Sequence, residues 1–309
     1  MGIRYKVVIF ILVVVNIMLS TLGILYSRVI KNINDGFYLL GNNNIVLEFG
    51  DKYEEAGYVA KIYEKDHIKD VVINSDVNIN KLGDYEISYT LNFLNYKKVL
   101  TRQIKIVDTN PPELDLKCDL DQYVVINNNA PKCEVIASDN YDQDLTDKII
   151  VDSNVDTNRL GDYTVTYSVK DSSDNETTKT VKVYVRNKSD LYYVNVFISK
   201  QRLDYYENNK VVLTTPITSG AHNATKTGNF TIKNKARDTT LKGADYVSFV
   251  KYWMGYGGGY GLHDASWRSR FGTSDYFTRG SHGCINMPTN AAKELYDKIE
   301  VGTPVHIQN

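Results

Sequence analysis

The chain has 309 residues, with 36 Lys and Arg against 37 Asp and Glu, a formal net charge of −1. So even a balance, with no basic patch, offers nothing to a phosphate backbone and argues against nucleic acid as a partner. The length predicts two or three domains rather than one, and 24 tyrosines with few helix signals before residue 287 predict a mainly β chain.

The first element is Val7 to Tyr26, twenty residues interrupted only by Asn16, Ser20, Thr21 and Gly23. At ~1.5 Å per residue such a helix spans about 30 Å, the hydrocarbon thickness of a bilayer. Arg4 and Lys6 precede it, so the expected arrangement is a cytoplasmic tail (1–6), a single-pass transmembrane anchor (7–26) and the rest of the chain outside the cell membrane. A cleaved signal peptide is the alternative, with Thr21-Leu22-Gly23 as a small-x-small site. The apolar run, however, continues past that site and exceeds the usual h-region.

An internal repeat follows. Leu82-Gly83-Asp84-Tyr85-Glu86-Ile87-Ser88-Tyr89-Thr90 returns 78 residues later as Leu160-Gly161-Asp162-Tyr163-Thr164-Val165-Thr166-Tyr167-Ser168, while Ala60 pairs with Ala137 at 77, so one single-residue insertion separates the copies. Alternation after each Gly-Asp turn, and again in Gln103–Val107 and Thr180–Val185, is the period of half-buried strands. Short strands with turns between them predict β-sandwiches. The copies resemble bacterial Ig-like modules of surface proteins, which implies two tandem sandwiches at 43–108 and 112–186. Pro111-Pro112 makes a stiff joint between them, and their expected role is a spacer. Cys118 and Cys133 close a short loop within one module and can form a disulfide or stay as two small buried thiols, leaving Cys284 odd. The acidic run Asp139-Asn140-Tyr141-Asp142-Gln143-Asp144 lacks the Gly and the distal Glu of an EF-hand loop and reads as a solvated loop.

After a polar linker, Asn187–Asp190, the last domain (190–309) opens with strands at Tyr192–Ile198 and Val211–Leu213, the turn Glu207–Lys210 lying between them. Thr289–Lys298 is the clearest helix, with Ala291, Ala292, Leu295 and Tyr296 as its apolar stripe and Pro288 at its start. Tyr256–Gly261 is Gly-rich but no Lys-Ser or Lys-Thr follows it, so it predicts a flap rather than a phosphate loop. Between these lies Ser281-His282-Gly283-Cys284-Ile285-Asn286, with His263-Asp264 upstream. Acyl transfer by cysteine requires a thiolate, and a free thiol near pKa ~8.5 supplies little at neutral pH unless an imidazole takes its proton. The residues alone leave His263 and His282 both open as that base.

His263, seventeen residues, then Ser-His-Gly-Cys-Ile-Asn resembles the signature of the L,D-transpeptidase catalytic domain, the peptidoglycan cross-linking family. Thr227-Gly228-Asn229-Phe230, Trp267-Arg268, Phe271-Gly272 and Val301–Val305 add to the resemblance. It implies Cys284 as nucleophile, His263 as base, and backbone N–H groups of His282, Gly283 and Cys284 as oxyanion donors. Asp264, through side chain or carbonyl, is the expected orienting group for His263. Ser281 and Asn286 are expected to hold the loop, and Tyr252, Trp253 and Trp267 to line the groove or the core. The expected reaction is 3→3 cross-linking of tetrapeptide stems of the cell wall through a cysteine acyl-enzyme, with carbapenems as inhibitors and no cofactor or metal. Hydrolysis, D-amino-acid exchange or protein attachment to the wall would share the acyl-enzyme, and an inactive wall-binding surface protein is the non-enzymatic alternative.

Overall fold

The computed structural model describes residues 2–244 and 246–309; Met1 and the side chain of Arg4, both in the expected tail, lie outside the described set. The chain divides into two compact units, Met1–Asp115 with Ile136–Ile149 and Val169–Thr177, and Leu116–Val135 with Ile150–Ser168 and Thr178–Asn309.

The first unit begins with helix α1 (Ile3–Gly36), long and apolar enough over Tyr5–Gly36 to cross a membrane or to serve as a signal sequence. Three polar side chains of its apolar stretch donate to its own carbonyls: Asn16 Nδ2 to Leu12 O, Ser20 Oγ to Asn16 O and Thr21 Oγ1 to Met18 O. Each such bond occupies a donor that apolar surroundings would otherwise leave open. The helix runs beyond the apolar stretch because its last turns gain a protein surface, with Ile33 fully buried in the core of the first module. Lys98 Nζ donates to Asn34 O and Phe37 O, a cation on the carbonyl end of the helix. Gly36 is required at this exit, where a Cβ would lie 1.8 Å from the Lys61 carbonyl oxygen.

The first module carries strands β1 (Phe37–Leu39), β2 (Asn44–Glu48), β3 (Tyr58–Ile62), β4 (Lys65–Asp66), β5 (Val71–Ser75), β6 (Gly83–Phe93) and β7 (Tyr96–Val107). They form sheets ordered β1-β3-β4 and β2-β7-β6-β5. β1, ahead of residue 43, pairs with β3 from Phe37↔Ala60 to Leu39↔Tyr58. Its core joins Phe37, Ala60, Ile62, Ile87, Tyr89, Leu91, Ile104 and Ile106, the alternating positions of the strands.

The second copy carries β8 (Glu113–Leu116), β9 (Asp121–Val125), β10 (Val135–Asp139), β11 (Gln143–Asp144), β12 (Ile150–Ser153), β13 (Gly161–Lys170) and β14 (Glu176–Arg186), in sheets β11-β10-β8 and β12-β13-β14-β9. The repeat is legible in the topology: β2 lies parallel to β7 as β9 lies parallel to β14. In both copies the motif tyrosine bonds back four residues, Tyr85 OH to Lys81 O and Tyr163 OH to Arg159 O. Cys118 and Cys133 form a disulfide with Cα atoms 5.3 Å apart.

The C-terminal part of the second unit comprises α2 (Lys188–Leu191), β15 (Tyr193–Phe197), β16 (Arg202–Glu207), β17 (Lys210–Pro216), β18 (Gly228–Thr231), β19 (Asn234–Lys242), β20 (Val247–Gly257), β21 (Tyr260–Asp264), α3 (Tyr276–Arg279), β22 (Ile285–Met287), α4 (Thr289–Lys298) and β23 (Pro304–Gln308). One sheet is ordered β17-β16-β15-β23-β18, the other β19-β20-β21-β22. Strand β16 intervenes where sequence alternation shows only a connection, because Leu203, Asp204 and Tyr205 are all buried and mask the period. Asp204 tolerates burial by accepting from Arg202 Nη2 and Thr214 Oγ1. Helix α4 buries Ala291, Ala292 and Leu295 in a core with Val194, Leu203, Met254, Leu262 and Ile285.

Candidate active site

Strand β22 runs parallel to β21 with Leu262↔Ile285, His263↔Asn286 and Asp264↔Met287 in register. Residues two apart on a strand share a face, so Cys284, Asn286 and His263 all present side chains on one side of this ladder. They line one cavity of about 140 Å³, together with Leu241, Tyr246, Ser248, Trp267, Arg268, Gly280, Ser281 and His282. A larger hollow, about 470 Å³, lies by Cys118, Tyr123 and Glu207, but its lining contains neither a free thiol nor an imidazole.

Cys284 is the free cysteine, 8% exposed. The loop that carries it is clamped on both sides. Ser281 Oγ donates to Cys284 O at 2.5 Å and accepts from Gly283 N–H at 3.0 Å. Thr225, itself buried, accepts from Gly220 N–H at 2.7 Å and donates to Gly283 O at 3.0 Å. Asn286 exchanges two backbone hydrogen bonds with Thr218. Gly283 sits at φ +129°, and a Cβ there would lie 2.4 Å from the Tyr260 ring, so glycine is required for both reasons.

His263 is 4% exposed, its ring stacked on Trp253 (centroids 5.8 Å apart) and tilted against Trp267 (6.0 Å). Its Nδ1 lies 2.8 Å from the backbone carbonyl of Asp264. A proton on Nδ1 donates to that oxygen and leaves Nε2 with its lone pair, the tautomer a general base needs. The Asp264 carboxylate turns the other way and accepts from Lys251 N–H and Tyr252 N–H. Orientation of His263 therefore comes from the carbonyl of Asp264, one of the two alternatives, and its side chain ties β21 to β20.

Burial pushes the His263 imidazolium below its ordinary value of 6.5, against the weaker pull of the Asp264 carbonyl. Burial also pushes the Cys284 thiol up, offset in part by the Gly261 N–H. Both shifts favour the uncharged pair, imidazole beside thiol.

The other expected residues fall into place unevenly. His282 is exposed at the cavity rim and stacks on Tyr246, centroids 4.6 Å apart. The Gly283 N–H, expected to face an oxyanion, is engaged by Ser281. Trp267 lines the cavity and Trp253 backs the imidazole. Tyr252 is outside that lining and packs against Tyr296 of α4. Within the Gly-rich stretch Tyr256 is buried, 3% exposed, and Gly257–Gly259 lie exposed at the tip of the β20–β21 hairpin. Thr225 and the unpartnered buried Oδ1 of Asn286 were not singled out by motif reasoning; nothing in the spacing marks Thr225.

Fold and site define a β-rich domain built around a buried thiol–imidazole cleft. The family model described as L,D-transpeptidase catalytic domain matches residues 191–307, and that described as bacterial surface protein, Ig-like domain matches 37–106 and 123–185. The catalytic domain of the Enterococcus faecium L,D-transpeptidase is 42% identical over 38% of this chain and 96% of its own length, TM-score 0.36. The same domain acylated by ertapenem gives the same figures. A cysteine-to-serine mutant of that enzyme is 42% identical over 38% of this chain, TM-score 0.37, and this chain spans about half of its length, 49%. No curated protein matches the chain. Through residues 191–307 the chain belongs to the L,D-transpeptidase family, and two Ig-like segments precede that domain.

Proposed function

We propose that this is a membrane-anchored transpeptidase of the cell wall whose Cys284 thiol opens the bond between the third residue and D-Ala of a tetrapeptide stem. His263 Nε2 takes the thiol proton as sulfur attacks the carbonyl carbon. The C–N bond breaks, the imidazolium returns the proton to departing D-Ala, and a thioester remains on Cys284. An amine of a neighbouring stem then attacks that thioester and loses its proton to His263, the C–S bond breaks, the imidazolium returns the proton to the Cys284 sulfur, and a 3→3 cross-link remains. The observation that carries this reading is the joint placement of Cys284 and His263 on one face of the β21–β22 ladder, with Nδ1 anchored on the Asp264 carbonyl.

The apolar α1 supports the anchor and the Ig-like segments support an extracytoplasmic setting, where they act as a spacer. A protease applied to intact protoplasts should digest the chain beyond α1, and recovery of full-length protein in the soluble cytoplasm would sink the topology. Muropeptides from walls incubated with the full chain, analysed by mass spectrometry, should gain 3→3 dimers that the Cys284→Ala variant does not form. Tripeptides without dimers would assign the acyl-enzyme to hydrolysis instead.

A further inference from the structure

Three carboxylates meet in the first compact unit, outside the cleft: Asp108, just after β7; Asp142, in the turn between β10 and β11; and Asp171, in the turn between β13 and β14. One oxygen of each lies within 4.8 Å of the others. Acidic clusters are common on protein surfaces, but Asp108 is only 6% exposed and neither of its oxygens has a hydrogen-bond partner. A buried, unpartnered carboxylate costs free energy unless a proton or a cation compensates it. Burial is the largest influence raising its pKa, reinforced by Asp139 and Asp171; the Asn110 N–H and Ser173 hydroxyl pull the other way without completing a hydrogen bond. Asp139 adds a third buried oxygen, Oδ2, equally unpartnered. Among the described residues no Lys or Arg forms an ion pair with Asp108, Asp142 or Asp171.

The other two acids are held by the backbone. Asp142 Oδ2 accepts from Ser172 N–H at 2.7 Å, and Asp171 accepts from Ser173 and Asn175 N–H and from Asn175 Nδ2, each at 2.8 Å. Asn175 Nδ2 also donates to the Asp108 carbonyl at 3.1 Å. The turns are particular to the second copy. The single-residue insertion falls in the turn 140–142, since β3 and β10 match at an offset of 77 and β4 and β11 at 78. The hairpin turn carrying Asp171 spans 171–175, where the first copy turns through Leu94-Asn95 alone. Sequence alone reads 139–144 as a solvated loop, yet Asp139 and Asp142 are half-buried.

We propose that Asp108, Asp142 and Asp171 bind a calcium ion, with Asp139 beside them, and that the ion ties the segment leading into Pro111-Pro112 to the two enlarged turns. An all-carboxylate set suits a hard cation rather than zinc. Calcium accepts six to eight oxygens at ~2.3–2.6 Å in a flexible geometry, which suits carboxylates brought together from three separate segments, whereas magnesium demands a near-ideal octahedron at ~2.0–2.1 Å.

The test uses the full chain in detergent, stripped with EDTA and dialysed. Calorimetric titration with Ca²⁺ should show one site per chain, with a Kd of about 10⁻⁴ to 10⁻³ M, the range of extracellular modules, and weaker heat with Mg²⁺. Terbium should luminesce on excitation of tyrosine, Tyr141 lying between Asp139 and Asp142, and Ca²⁺ should quench it. Asp108→Asn and Asp142→Ala should each weaken binding at least tenfold; if Asp108→Asn fails to fold, Asp142→Ala decides. No binding up to ~10 mM Ca²⁺, unchanged affinity in the folded variants, or tighter binding of Mg²⁺ would each overturn the proposal.

Discussion

Thr225→Val is the sharpest test of how the cysteine loop is held. The change keeps the branched shape and removes one hydroxyl that is buried and serves two buried backbone groups, Gly220 N–H and Gly283 O. Leaving a buried donor or acceptor unsatisfied costs about 1–3 kcal/mol each. Gly283 O keeps a weak second donor, the Tyr256 hydroxyl at 3.5 Å, so the sum comes to about 2–4 kcal/mol rather than the full two-group penalty. Thr225→Ser keeps the hydroxyl and loses one methyl, which predicts about 1 kcal/mol.

Both tryptophans of the chain, Trp253 and Trp267, lie in the C-terminal domain against His263. Their fluorescence therefore follows this domain while the Ig-like modules stay silent, and urea titration of the full chain can read the difference from the shift in midpoint at constant slope. The Val variant should also react with a carbapenem at least tenfold more slowly, because the loop that sets the sulfur has lost its anchor. A Val variant within about 0.5 kcal/mol of the parent, or a Ser variant as unstable as the Val one, would refute the hydroxyl clamp.

The remaining expectations concern the site itself. A carbapenem should add one mass increment per chain, peptide mapping should place it on Cys284, and Cys284→Ala or Cys284→Ser should show none; an adduct elsewhere removes the cysteine from its role. His263→Ala should slow that acylation by about 10² or more, whereas His282→Ala, at an exposed rim position, should slow it far less; equal losses would reopen the choice of base. Since the active form needs unprotonated Nε2 and burial holds the His263 pKa below 6.5, the acid limb of the acylation rate should reach half of its plateau below pH 6.5. A half-maximal point at or above 6.5 contradicts that burial argument.

The repeat and its alternation announced paired sandwiches because each strand buries one face, and the period survives even where the residues differ, as in Tyr85–Tyr89 and Tyr163–Tyr167. Helix α4 was equally legible from its stripe and Pro288. Strand β16 was not, since burial of three successive side chains erases the period that identifies a strand. The end of α1 was hidden too. Its last turns carry Arg28, Lys31 and Asp35 and read as a polar break, but Val29 and Ile33 face protein there, and a helix needs only one apolar stripe once it has left lipid.

Spacing located the thiol and both imidazoles but could not say which group fixes His263, for a backbone carbonyl leaves no mark in a sequence. That distinction changes the chemistry. A carboxylate against Nδ1 would stabilise the imidazolium and favour a resting thiolate–imidazolium pair. The Asp264 carbonyl orients the ring with much less charge, and burial is then the largest influence on both His263 and Cys284, which favours imidazole and thiol over the charged pair. In the proposed reaction the proton accordingly leaves sulfur as the carbonyl is attacked rather than beforehand. The Asp264 carboxylate is left to hold Lys251 and Tyr252, which keeps β20 and β21, and the imidazole they carry, in register with β22.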